Sequence, residues 1–98
     1  MNSDEPSITV TDAPDARRFE ARVDGQLTGF ITYRQAGGTL VLVHTEVAAE
    51  SRGKGVGGQL AAGALQLVRE RGQKIRIRCQ FLAGYVERHP EYGDLLAD

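Results

Sequence analysis

The sequence predicts an α/β fold: an antiparallel three-stranded meander, then a βαβ unit, then a short C-terminal helix. Three observations predict it. Apolar residues alternate with polar ones in successive segments separated by short Gly-containing turns, the period-2 signature of half-buried strands joined as hairpins. From Val56 to Val68 the apolar spacing changes to three and four residues, as an amphipathic helix requires. The period returns to two over Lys74 to Cys79. A strand, a helix and a strand in that order make a right-handed crossover between parallel strands. Ninety-eight residues suit one domain, 1–98, that buries about two-thirds of its unfolded surface.

The elements follow in order. Residues 1–15 hold Pro6, Pro14 and four acids around Ile8-Thr9-Val10, a loose leader with room for a short edge strand. Phe19, Ala21 and Val23 alternate with Arg18, Glu20 and Arg22, and Asp24-Gly25 supplies the positive φ of a tight hairpin turn. The next strand runs from about Leu27 to Arg34, with Leu27, Gly29, Ile31 and Tyr33 on one face, and Gly37-Gly38 makes the second turn. Thr39 to Val47 has a nearly continuous apolar run, as when both faces of a strand are covered. The helix from Val56 ends in Arg69 and Arg71, which suit its negative pole, and Gly72 terminates it. Residues 80–88 form a second helix with Phe81, Leu82 and Tyr85 inward, stopped at His89-Pro90. Tyr92, Leu95 and Leu96 pack as a tail.

Composition excludes several classes. Hydrophobic residues at 41% and charged residues at 26% are globular values. No apolar run approaches the roughly 18 residues of a membrane helix, and the start of the chain has no basic region leading into an apolar stretch. One cysteine and two histidines build neither an internal disulfide nor a closed zinc site. These features describe a soluble cytoplasmic domain without a metal. The net charge of −1 conceals an asymmetry: −3 over residues 1–24 and +6 over residues 52–78, so a polyanionic ligand is expected on one side of the fold. Arg69, Arg71 and Lys74 read as a solvated helix end and strand face. Nucleic acid is disfavoured, since the chain has six aromatic residues and none interleaves with the basic block.

The chemistry is expected at Arg52-Gly53-Lys54-Gly55-Val56-Gly57-Gly58, where four of twelve glycines fall in six positions between a strand and a helix. Glycine there lets a ligand approach backbone amides without meeting a Cβ. The first N–H groups of a helix lack internal partners and lie at its positive pole, which favours phosphate oxygens. Lys54 is followed by Gly rather than Ser or Thr, unlike a P-loop. Gly53-x-Gly55-x-x-Gly58 has the letters of a dinucleotide fingerprint, but it follows antiparallel strands in a chain too short for that fold.

The spacing Arg52-x-x-Gly55-x-Gly57 resembles the pyrophosphate loop of the GNAT N-acetyltransferase superfamily. So do His44-Thr45-Glu46-Val47, Cys79-Gln80-Phe81 and the block from Tyr85 through His89-Pro90-Glu91-Tyr92, which together resemble the small single-domain GNAT-like members over about residues 17–96. The resemblance implies that the two parallel strands splay apart and that acetyl-coenzyme A lies in the gap. The loop amides would hold its pyrophosphate, the backbone at Glu46 and Val47 its pantetheine arm, and Cys79 would lie near the thioester sulfur. In the superfamily, asparagine is common where Cys79 falls, and a tyrosine six positions later protonates the leaving thiolate, which implies that role for Tyr85. Larger members carry an early pair of helices that shapes the acceptor site, and this chain has no room for them before its first strong strand.

Glu46 and His44 are two residues apart on a strand, so they share a face about 7 Å apart. Glu46 can deprotonate an amine directly or through water; its bland alternative is an exposed strand-end carboxylate. His44, placed on the face of Leu40 and Leu42, reads equally as a hydrogen-bonded core histidine. Cys79 is either an acyl-accepting thiolate or a small buried hydrophobe. The expected activity is acetyl transfer from acetyl-coenzyme A to an unidentified amine, directly rather than through Cys79. The alternatives are a coenzyme A-binding module without turnover and a small nucleic-acid-binding domain.

Overall fold

The computed structural model describes residues 8–97. Its strands are β1 (Ile8–Ala13), β2 (Arg18–Val23), β3 (Gln26–Ala36), β4 (Thr39–Val47) and β5 (Lys74–Ile77); its α-helices are α1 (Val56–Glu70) and α2 (Gln80–Arg88). They form one sheet in the order β1-β2-β3-β4-β5, antiparallel through β4 and parallel between β4 and β5. The meander thus gains a strand at its start. Residues 8–13 of the expected leader pair along β2, and the remainder of that leader, 1–7, lies outside the described residues. Asp24 and Gly25 both have positive φ, as the β2–β3 hairpin requires.

α1 lies across one face of the sheet. Leu60, Ala61, Ala64, Leu65 and Val68 bury against Phe19, Ile31, Leu40, Leu42 and Ile75, the larger side chains each contributing roughly 1.5–3 kcal/mol of burial. The helix crosses β1 closely at Gly63, where a Cβ would lie 2.6 Å from Val10 Cγ2. Leu82, Tyr85 and Val86 of α2 extend the same core. Arg69 holds the C-terminal 3-10 segment, Pro90–Leu95, through a two-pronged pair with Asp94 at 2.9 Å and a 2.8 Å bond to the Glu91 carbonyl.

Two bulges alter the expected faces. Ala21 pairs with Gly29 but Arg22 with Leu27, so Thr28 is an extra residue; its hydroxyl donates to the Ala21 carbonyl at 3.2 Å. Leu27 therefore leaves the face of Gly29, Ile31 and Tyr33 and is exposed. Likewise Thr32 pairs with His44 but Tyr33 with Leu42, so Val43 is extra and stands 41% exposed. An extra residue reverses the alternation beyond it. Burial on both faces of β4 is confined to Leu40, Val41 and Leu42, and His44 does not share the face of Leu40 and Leu42. Val47 instead packs against the core, while His44 and Glu46 point away from α1. β5 also ends two residues earlier than the period-2 pattern suggests, at Ile77. In the tail Leu95 is buried but Leu96 is exposed, its backbone bridging to Ile75.

Candidate active site

The bulge at Val43 also ends the pairing of β4 with β5. The parallel ladder runs from Thr39–Lys74 to Leu42–Ile77, and the Arg78 N–H closes it on the Leu42 carbonyl at 2.9 Å. β4 continues to Val47 while the chain after Cys79 turns into α2, so the two strands part as the family resemblance implies. The Ala48 N–H donates to the Thr28 carbonyl at 2.8 Å. Strand alternation then turns the Val47 backbone away from β3 and into the gap. Its carbonyl accepts from Arg52 Nε at 3.3 Å.

A cavity of about 480 Å³ occupies this gap, lined by His44, Thr45, Glu46, Val47, Arg52, Gly57 and Phe81. A hollow of about 270 Å³ is lined by the loop itself, including Gly53, Gly55, Val56 and Gly58, and shares Val47, Arg52, Gly57 and Phe81 with the cavity. Gly55 precedes α1 with φ +81° and nothing within 4 Å of where a Cβ would stand, a conformation and an opening that suit glycine. The first helical bond belongs to the Gln59 N–H, on the Gly55 carbonyl at 3.1 Å. The amides of Val56, Gly57 and Gly58 thus have no helical acceptor. Gly57 allows Phe81 to close on the helix, since a Cβ there would be 3.1 Å from Phe81 Cζ. Open glycine positions, unpartnered amides and the Arg52 guanidinium are the donor set that a pyrophosphate needs.

Glu46 and His44 sit together at the cavity, with Oε1 3.7 Å from Nε2 and both side chains more than half exposed. Cys79 is half-buried at the residue before α2 and contacts Thr45 Oγ1 through Sγ at 3.4 Å, which places it across the gap from β4 without lining the cavity. Tyr85 lines neither space. It is 8% exposed, one turn beyond Phe81 on α2, with its ring stacked on His89 at 4.1 Å. Burial, then the neighbouring Tyr92 and Glu91, push its phenol above the ordinary tyrosine range, so it stays protonated. Lys54 lines neither space.

Phe81 and Thr45 are site residues that the sequence reading missed. The sequence pattern turns Phe81 inward, yet it is 40% exposed because Leu82, Tyr85 and Val86 already complete the buried stripe of α2. That i, i+3, i+4 pattern is the signal that sets Phe81 apart. Thr45 carries no such signal, since the bulge before it decides its direction.

Residues 18–95 match the sequence pattern of the GCN5-related N-acetyl-transferase family. Protein NATD1 of Xenopus tropicalis is 31% identical over 94 residues, spanning 92% of this chain and 86% of that protein. A GCN5-like protein of Staphylococcus aureus, solved in solution, superposes with a TM-score of 0.67 at 25% identity over 97% of this chain and 91% of its own. A ribosomal-protein-alanine N-acetyltransferase of Brucella melitensis biovar Abortus shares the fold, with a TM-score of 0.55 at 23% identity over 83% of this chain and 63% of its own.

Proposed function

Because the chain belongs to the GCN5-related N-acetyltransferase family, we propose that it transfers an acetyl group from acetyl-coenzyme A to an amine. One observation carries this reading: the loop amides, the Val47 backbone and the Glu46–His44 pair converge on adjoining spaces. The amides of residues 55–58 and Arg52 hold the pyrophosphate. Val47 holds the pantetheine arm and polarises the thioester carbonyl through its N–H. Acetyl-coenzyme A supplies the activated acyl carbon.

The amine attacks that carbon, the new C–N bond forms and the C–S bond breaks. Glu46, with His44 beside it, takes the proton the amine loses, directly or through water. The departing thiolate is assigned the Tyr85 proton. A positioned amine needs no acyl relay, so Cys79 borders the gap rather than carrying the acetyl group. Cys79 stays a free thiol in a reducing compartment such as the cytoplasm. The second reading, coenzyme A binding without turnover, is favoured by one feature. Neither helix covers the sheet face that bears His44 and Glu46.

Amide shift mapping with acetyl-coenzyme A tests the site. Residues 52–58 and 46–47 should respond, and Gly55→Val should abolish the response by forcing a branched side chain to positive φ beside the phosphate. Shifts confined to other surfaces, or none at millimolar ligand, would sink the proposal. Mass spectrometry across an amine panel then separates the readings: binding with no thioester consumption supports the module.

A further inference from the structure

A second cleft, of about 500 Å³, is lined by Asp12 of β1, Arg17, Tyr33, Arg34 and Gln35 of β3, and Arg71 at the end of α1. It lies away from the acetyl site. Arg34 pairs with Val41, five residues along β4 from Glu46, or about 15 Å. We propose that this cleft binds a small, multiply charged oxyanion, a phosphate- or carboxylate-bearing molecule, separately from acetyl-coenzyme A.

The charge pattern carries the proposal. Tyr33 donates to Asp12 Oδ1 at 2.5 Å, and Arg71 bonds the other oxygen, Oδ2, while lying 5.6 Å over the Phe19 ring. Both oxygens of the cleft's one carboxylate are therefore engaged. Arg17 and Arg34 have no carboxylate within ion-pair distance among the described residues. Burial and the Asp12 bond push the Tyr33 phenol up to about 12, so it remains a donor.

Arg17 is held in place by its backbone. It adopts φ 55° after the Pro14–Ala16 turn, and its carbonyl accepts the Tyr33 N–H at 2.9 Å. The C-terminal pole of α1 opposes an anion with about half a charge, less than the two full positive charges that no described carboxylate pairs. Arginine guanidiniums and an amide side chain are donor types that phosphate and carboxylate oxygens accept from. The volume exceeds that of a bare ion and falls in the range of small-molecule pockets.

Titration of the ¹⁵N-labelled chain with pyrophosphate and, separately, with citrate tests this. Saturable shifts are expected at Arg17, Tyr33, Arg34, Gln35 and Arg71, and the tighter probe identifies the anion class. The double variant Arg17→Asn, Arg34→Gln should weaken that binding at least about tenfold. The response of residues 52–58 to acetyl-coenzyme A should persist, so failure here is distinct from failure of the acetyltransferase reading. Arg34→Gln alone, at an exposed strand position, serves if the double variant does not fold. The proposal is overturned if neither probe shifts these amides at millimolar concentration, if the variants leave the affinity unchanged, or if a single-stranded oligonucleotide binds there more tightly at physiological salt.

Discussion

Glu20 is nearly buried on the sheet face opposite α1, between Arg18 Nε at 2.7 Å and Arg22 Nη2 at 2.8 Å. Those bonds, Arg18's first, hold its carboxyl below the ordinary glutamate range against the opposing effect of burial. A folded-state pKa below the unfolded one gives stability that is present above the unfolded value, about 4.3. It is lost as pH falls through the folded value. Glu20→Gln should therefore flatten the acid limb of a stability–pH curve from urea denaturation; parallel limbs would show that the triad is inert. At the site, Cys79→Ala should keep a measurable fraction of turnover, while Tyr85→Phe should cost about 10²–10⁴-fold, the usual loss of a general acid. Steady-state kinetics decides between them, and acetyl-Cys79 that passes its acetyl group on at the turnover rate would reverse the assignment. Residue types were legible here, but surroundings were not. His44 reads as a core neighbour of Leu42 until the Val43 bulge is known.

α1 shows what a helix needs beyond its own pattern. Its start at Val56 and its stop at Gly72 were legible from spacing and glycine, since both signals are local. Gly63 carried no meaning in the sequence, because the reason for it is Val10, on a strand far away in the chain. Gly63→Ala should improve helix propensity by about 1 kcal/mol yet press a Cβ against Val10, and overpacking costs about 1–3 kcal/mol. We expect net destabilisation, measured by thermal melting. Val10→Ala in the same chain should relieve part of it, and an unchanged penalty in the double variant would locate the strain elsewhere. The same contrast separates the hairpin turn at Asp24-Gly25, read from two residues, from the bulges at Thr28 and Val43, which exist only in the pairing of one strand with its neighbour.

Across the molecule, the basic block of residues 52–78 divides by partner. Arg69 is taken by Asp94, Arg71 by Asp12, and Lys74 Nζ by the Asp94 carbonyl at 2.5 Å. Arg76 and Arg78 border a separate groove beside α2. On the proposal that the glycine loop holds the pyrophosphate, neutralising both to Gln should leave the acetyl-coenzyme A dissociation constant within about twofold. A loss of tenfold or more by calorimetry would move that site. Val43 has a further consequence, for how such a chain tolerates gained and lost residues. A strand counts in twos, and this bulge is an odd beat that puts its two halves out of phase. Deleting Val43 would bring Leu42 and His44 into succession opposite Tyr33 and Thr32, so the strand would lose its bulge while His44 and Glu46 kept the face away from α1 and Thr45 and Val47 the other. Removing two from the first half would shorten the strand yet keep every later side chain on its side. The side that His44 and Glu46 take at the tip of β4 thus follows from the β3 residue each one meets and not from a count along the chain.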